Sequence, residues 1–364
     1  MKKYLCMCIS CAFVFFAKAQ EERLRDYVNP FVGTDGYGNI YPGSQIPFGG
    51  IQISPDTDNH FYDAASGYKY SHPTIMGFSL SHLSGTGIPD LGDFLFVPGT
   101  GEIKSIPGTH ENPDEGYRSR YSHEKEWASP GYYGVELIDY GVKAEMTSAC
   151  RSGIFRFTYP ASDKAFILVD LNHTLWQSCP WSNLRQLNDS TIVGYKLVKG
   201  WGPERHIYFA ATFSRKLEHF YILQDGKPVI YNTKRFRSHK EAWGEKLMAC
   251  FTFSTHTGEE VYVKTAISGV STEGALANIN ELDGLTFESV KSRAEELWEK
   301  ELGKYHVAGD LKTKRTFYTS AYHAALHPFV FQDADGRYRE LDKNIGRAEG
   351  FTNYTTFSLW DTYR

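Results

Sequence analysis

Most of the short motifs in this chain that could carry chemistry fail at one position. His323 and His327 stand four apart, the spacing that puts two imidazoles on one helix face for zinc, but Ala324 occupies the place of the glutamate in H-E-x-x-H. Asp333-Ala334-Asp335-Gly336 imitates part of a calcium loop, yet the first ligand position would be Phe331, so a tight hairpin turn is the better reading. His82-Leu83-Ser84-Gly85 has the outline of a nucleophile elbow, but the elbow requires glycine where His82 stands. Cys150, Cys179 and Cys250 are widely spaced, without metal-ligand or disulfide-framework spacing, and are expected to be buried free thiols. No catalytic acid and base and no metal-ligand set can be named within the chain.

Two segments survive this filter. The first is NPFVGTDGYGNIYPGSQIPFG, from Asn29 to Gly49, dense in glycine and lacking the G-K-[ST] ending of a nucleotide loop. Its glycines permit positive φ and a close approach of backbone to a ligand or another domain. The second is GFSLSHLSGTG, Gly77 to Gly87, followed by Leu91-Gly92-Asp93. Small polar groups beside aromatic rings suit sugar hydroxyls, which donate and accept hydrogen bonds next to a stacking surface. For both segments, ligand contact and a structural loop joining two domains stand as open readings.

These segments need a scaffold. From about Asp26 to Ser268 the chain reads as short β-branched or aromatic runs, including Tyr133–Tyr140, Gly153–Tyr159, Ala165–Leu171, Thr191–Val198, His206–Phe213, Cys250–Ser254 and Val261–Ile267. Gly, Pro, Asn and Asp separate them, as in an antiparallel β-sandwich. Val261–Ile267 alternates like a half-buried strand, whereas Ala165–Asp170 is continuously apolar and predicts a strand covered on both faces. The texture changes after Gly269. Thr286–Leu302 places Phe287, Val290, Ala294, Leu297 and Trp298 on one helical face, and Asp310–Leu326 repeats the pattern with Leu311, Tyr318, Ala321, Tyr322 and Ala325 until Pro328 ends it. Two such helices after a β domain predict the start of a helical domain, with the Tyr318–Tyr322 stripe left bare.

The first residues, Lys2-Lys3, an apolar run from Leu5 to Phe16 and Ala17-Lys18-Ala19, have the form of a secretory signal peptide, too short to span a bilayer. Cys11 is a weaker candidate for lipid attachment, since Cys8 stands where such a signal normally has Leu. The destination is therefore secreted, periplasmic or cell-surface. The formal net charge of −4 comes with no basic cluster, which argues against a nucleic-acid partner. The aromatic ending, Phe351 to Trp360-Asp361-Thr362-Tyr363-Arg364, reads as a core-and-cleft segment, so the chain is expected to be the front part of a longer enzyme.

Taken in order, the first segment, the second segment, Arg151-Ser152-Gly153 before Arg156-Phe157, and the terminal FSLWDTYR resemble glycoside hydrolase family 92, from about Tyr27 to Arg364. The family comprises calcium-dependent exo-acting α-mannosidases. After the signal peptide at 1–19, the resemblance implies an N-terminal β-sandwich at 20–268, a linker helix region at 269–285 and, at 286–364, the first helices of an incomplete (α/α)6 toroid. It implies hydrolysis of terminal α-1,2-linked mannose with inversion, mannose-containing glycans as partners, and Ca2+ as cofactor. The acid, the base and the calcium ligands are expected beyond Arg364, which would leave this chain an inactive fragment. Asp361 matches a position associated with hydrogen bonding to the bound mannose, and Trp360 beside it would form cleft wall. Asp35, Asn39 and His82 are the candidates for lining the cleft from the sandwich side. Two other readings remain: a non-catalytic carbohydrate-binding sandwich, and a different sugar-acting enzyme that combines a sandwich with a helical toroid.

Overall fold

In the computed structural model the described residues are 22–60, 62–202, 204–229 and 240–355. The segment read as a signal peptide, together with Trp360 and Asp361, lies outside them. Two antiparallel sheets face each other. One has seven strands, in the order Ser54–Asp56, Gly77–Ser79, Leu95–Thr100, Ser162–Asp170, Leu247–Thr255, His219–Gln224 and Lys227–Pro228. The other has nine, running from Glu241–Gly244 through Ser178–Gln186, Thr191–Lys199, Arg205–Phe213, Glu259–Ser268, Ser152–Tyr159, Val142–Ser148 and Tyr132–Leu137 to Glu126–Ser129. The architecture is the mainly-β sandwich that the punctuated strand pattern predicts.

Period-two alternation explains which residues meet between the sheets. Phe155, Phe157 and Tyr159 point inward from one strand and Val261 and Val263 from its neighbour, while Arg156, Tyr262 and Lys264 point out. Ala165–Asp170 lies between two partner strands and is buried throughout, as its unbroken apolar run requires. Cys150, Cys179 and Cys250 are free thiols. Among the described residues no helix is long and apolar enough to cross a membrane.

Residues 269–285, the linker helix region, carry α1 (Thr272–Ile279), capped by Ser271, whose side chain accepts from Gly274 N–H. It lays Ala275 and Ile279 on Val193, Ala210 and Ala266 of the larger sheet. The next helix, α2 (Phe287–Leu302), begins at Thr286 in a capping box with Ser289. Phe287, Val290, Ala294, Trp298 and Leu302 are buried along it. Leu297, expected on the same stripe, is 42% exposed, because at 100° per residue it falls well to one side of the Ala294–Trp298 line. The third, α3 (Leu311–Ala324), starts at Asp310, which accepts from Thr313 N–H. Leu311 projects into solvent from its first turn.

The expectation of a bare second stripe is corrected. Tyr318 and Tyr322 are buried in one cluster with Tyr41, Trp298, Leu302, Ala325 and Leu326. Leu24, Tyr27 and Val28 pack against that cluster, Tyr27 stacking on Tyr318 at 5.7 Å between ring centroids. Two helices can bury their apolar faces here because the chain before the sandwich returns to cover them, a contact across about 290 residues that periodicity does not reveal.

Trp298 anchors this cluster. It is fully buried, stacks near Tyr322, and donates its Nε1–H to the Gln45 carbonyl at 2.7 Å. Trp298→Ala is expected to lower stability by about 3–5 kcal/mol, read by urea unfolding, with faster amide exchange in α2 and α3 than in the sandwich strands. A loss under about 1 kcal/mol would show that the helices are held elsewhere.

Candidate functional site

The two surviving segments fold against each other. Asn39, at φ 50°, donates from Nδ2 to the Thr86 carbonyl at 2.7 Å, and its own carbonyl accepts from Gly85 N–H at 2.7 Å. Ser66 bridges the same two loops, donating to the carbonyls of Asn39 and Leu83. Both loops then reach the helices. Ser84 N–H donates to His327 Nε2 at 2.7 Å, and Phe48 N–H donates to the Ala325 carbonyl at 2.8 Å. Val330 N–H returns a bond to the Phe48 carbonyl at 2.9 Å. Arg151 closes the far side of the seam through Glu281 at 2.7 Å and the Gln332 carbonyl at 2.6 Å.

Behind the loops lies a buried charge network. Strand Ser54–Asp56 pairs with Gly77–Ser79, and this pairing sets Asp56 beside the turn that carries His82. The Asp56 carboxylate sits between His82 Nε2 and His173 Nε2, each at 2.7 Å. His82 Nδ1 lies 2.9 Å from the Gln52 carbonyl, and Ser79 Oγ is 3.1 Å from Nε2. Gly67, at φ 85°, passes so near that a Cβ there would collide with the Asp56 carboxylate. Lys196, fully buried, donates to the His173 carbonyl at 2.5 Å and meets Asp93 at 3.1 Å. Asp93 also accepts from Ser81 Oγ at 2.6 Å and from both terminal nitrogens of Arg205.

This arrangement decides what these carboxylates can do. Burial alone would raise the Asp56 carboxyl, but His82 and His173 outweigh it and hold it well below the usual carboxylate range. Arg205 and Lys196 do the same for Asp93 against its burial. Neither can serve as a proton-donating acid. Burial raises the carboxyls of Asp170 and Asp333. They line different cavities: Asp170 a cleft of about 560 Å³ beside His173 and Trp176, and Asp333 a space of about 50 Å³ at the seam beside Gln52, Asp93 and Arg151. They do not face each other as a catalytic pair.

The residues proposed from sequence therefore part company. Asn39 is half-buried and clasps the two loops; Asp35 is exposed, accepting from Ser71 Oγ at 3.0 Å and from Gly36 N–H at 2.8 Å. His82 lies wholly inside, both ring nitrogens engaged, so its side chain has no open face toward a ligand; it braces the second loop from behind. His323 and His327 are not brought together as a zinc pair. His327 stands beyond the end of α3 and receives the Ser84 N–H, whereas burial lowers the His323 imidazole to about 4. Asp333 turns the chain, Gly336 N–H donating to its carbonyl, and its buried carboxyl holds Ser268 and Asn278. The partner of His82 leaves no mark in the sequence, because Asp56 is 26 residues away and is shared with His173, a further 117 residues from Asp56, so no local spacing links the three.

Asp56→Asn is expected to destabilise the chain by about 3–5 kcal/mol at pH 7, the cost of breaking a buried ion pair. The depressed carboxyl contributes fully above its unfolded pKa of about 3.9 and loses that contribution as pH falls toward its folded value. The gap between wild type and variant should therefore narrow below about pH 4 in thermal melts. A gap that stays constant from neutral to acid pH would mean that the charge of Asp56 is immaterial.

Comparison with known proteins follows the same division at the seam. The glycosyl hydrolase family 92 N-terminal domain matches residues 27–268, and the glycosyl hydrolase family 92 catalytic domain matches residues 274–364. A family GH92 α-mannosidase from Bacteroides thetaiotaomicron, solved in complex with mannoimidazole, is 76% identical with a TM-score of 0.92, over 94% of this chain and 45% of that one. A family GH92 inverting mannosidase from Bacteroides thetaiotaomicron VPI-5482 is 25% identical with a TM-score of 0.79, over 94% and 45%. An uncharacterized secreted glycosidase of Arthroderma benhamiae is 25% identical over 327 residues, 83% of this chain and 41% of its own length. The chain thus spans less than half the length of these relatives. Matched across both sides of its seam, it belongs to glycosyl hydrolase family 92.

Proposed function

We propose that this chain is the front part of a secreted α-mannosidase that hydrolyses terminal α-1,2-linked mannose from glycans with inversion and with calcium. The observation that carries the proposal is the 76% identity, over 94% of this chain, to an α-mannosidase solved in complex with mannoimidazole. The basic, apolar and A-x-A pattern of residues 1–19 supports export.

In this reading the described residues position rather than transform. Inverting hydrolysis uses two carboxyl groups about 6.5–9.5 Å apart, one protonated toward the leaving oxygen and one activating water. Asp56 and Asp93 are excluded as the acid by the cations around them, so the pair is assigned to residues outside the described part. Calcium takes six to eight oxygen ligands. The three-donor cluster found among the described residues, Asp58, His72 and His110, contains two imidazoles and does not fit it. Asn39 and Asp35 are proposed to form the sandwich rim of the mannose cleft, Trp360 to form cleft wall and Asp361 to hydrogen-bond the mannose.

A second reading, a sugar-binding sandwich without catalysis, draws on the cleft of about 560 Å³, where exposed Trp176 stands beside Asn172, Asp170 and Gln177. An aromatic platform next to amide and carboxyl groups is the usual chemistry of a sugar site.

The 364-residue chain with calcium is expected to release no mannose from α-1,2-mannobiose, whereas a longer protein continuing past Arg364 should. In that protein Asp361→Asn should lower kcat/KM about 10- to 100-fold, the loss of one charge-assisted hydrogen bond, with the fold retained. Mannose release by the 364-residue chain would overturn the placement of the chemistry, and kinetics unchanged within about twofold would overturn the role of Asp361. Mannoside binding by the short chain, together with an inert longer protein, would favour the second reading.

A further inference from the structure

We propose that Asp58, His72 and His110 form a zinc-class transition-metal site that staples the surface loop before Pro113 to the sandwich, independently of any mannosidase activity. One ligand atom from each of the three residues lies within 4.8 Å of the others. They come from three separate places: the loop after strand Ser54–Asp56, the turn before Thr74–Ile75, and the stretch between Thr100 and Pro113, which has neither helix nor strand.

The geometry at the centre of the cluster suits a metal better than a hydrogen bond. His110 Nε2 is buried and has no hydrogen-bond partner, yet it stands 3.4 Å from Asp58 Oδ2. Two ligand atoms about 2.0–2.1 Å from a tetrahedral zinc lie roughly 3.3 Å apart, so this pair is already at the edge length of such a site. Asp58 Oδ1 is occupied by the N–H groups of Asn59 and His60, which leaves Oδ2 to face the gap. Burial opposes ionisation of Asp58, but its histidine neighbours hold it charged. Asp63, 2.9 Å from His72 Nε2 and partly exposed, is available as a fourth ligand.

Outer contacts fix the orientation of both rings. His110 Nδ1 lies 2.9 Å from Thr74 Oγ1, and His72 Nδ1 lies 3.0 Å from Thr57 Oγ1. Asp63 can only accept, so His72 carries its proton on Nε2 as these contacts stand, and a metal at Nε2 requires that proton to move to Nδ1, where Thr57 Oγ1 accepts it. Two cations oppose binding: Arg118 Nη1 is 3.0 Å from His110 Nδ1, and Lys69 Nζ is 2.5 Å from Asp63 Oδ1. Arg118 Nη1 can only donate, so His110 Nδ1 accepts from it as the contacts stand; a metal at Nε2 requires that bond to be given up, with Arg118 keeping Thr74 Oγ1 at 2.9 Å and the Thr57 carbonyl at 3.5 Å. Asp58 and Asp63 offset the two positive charges, so affinity should fall below that of a closed four-ligand zinc site. The two imidazoles select a borderline metal over calcium. In a chain whose described cysteines are all free, a metal clip would supply the cross-link that a disulfide otherwise provides.

Cobalt added to the full 364-residue chain is expected to give the intense visible bands of four-coordinate Co2+, displaced by zinc. Calorimetry should find close to one zinc per chain, weakened at least about tenfold in Asp58→Asn and His110→Gln and unchanged in the exposed His256→Ala control. Zinc should raise Tm reversibly to chelator and slow proteolysis between Gly101 and Asn112; calcium should do neither. Only the weak spectrum of six-coordinate cobalt, or wild-type zinc affinity in both variants, would overturn the site. If either substitution unfolds the chain, the cobalt spectrum of the wild type decides alone.

Discussion

The structure depends on how the end of α3 finds partners for backbone groups that a helix cannot satisfy by itself. The last carbonyls of a helix have no intrahelical donor. Here the carbonyls of Ala325 and Leu326, just past α3, accept from Phe48 N–H and Gln45 Nε2. Gln45 also donates to the Gly49 carbonyl and pairs with Tyr41, while its own carbonyl takes the indole N–H of Trp298. One glutamine in the first glycine-rich segment therefore serves both helices. A buried amide with donors and acceptors both engaged is rigid, because leaving any of them unmade costs about 1–3 kcal/mol. The glycines around it are the condition for this approach: a Cβ at Gly50 would press on the Val330 carbonyl at 2.5 Å.

The charge network behind the loops works under a different constraint. Asp56, Asp93 and Lys196 are all removed from water, and desolvating them is expensive unless each is fully paired. They are paired, with two histidines, an arginine and a serine, and the cluster joins strands far apart in the chain. Such pairs add little net stability over apolar packing, but breaking one is costly. Their use here is positional. Ser81, His82 and Asp93 lie on the turn that presents Leu83 to Leu91 toward the seam, so the network fixes where that turn sits while contributing no proton of its own.

Much of this fold is legible in the residues and part of it is not, for physical reasons. Strands such as Gly153–Tyr159 and Val261–Ile267 declare themselves because alternation and turn residues are local signals. Thr286 and Asp310 declare the helix starts, since a capping side chain sits within three residues of the N–H it accepts. Helix α1 does not declare itself, because a short helix with two inward apolar residues has too weak a period to separate from a loop. The burial of Tyr318 and Tyr322 is equally silent, because their cover, Tyr27 and Tyr41, is distant in sequence. His82 shows the same limit in the candidate site. A histidine among small polar residues looks like a ligand-facing group, and only the approach of Asp56 and the Gln52 carbonyl turns it inward.

The ambiguity between ligand loop and structural loop resolves into a division along each segment. In the first segment, Tyr41 through Gly49 is buried or half-buried and bonded to the helices, whereas Asp35 to Gly38 remains exposed. In the second, Ser79 to His82 faces the charge network, whereas Ser84 to Gly87 stands near the surface. Asn39 joins the two outer portions. Each segment thus has an inner half that spends its polar groups on holding the sandwich to the helices and an outer half whose groups remain accessible. A cleft at a domain seam needs both halves, since the exposed groups are no better placed than the buried ones that hold them. That coupling explains why glycine and polar residues are concentrated in the same two stretches: the close backbone approach that fixes the seam also brings the outer halves together, over the start of the helical domain.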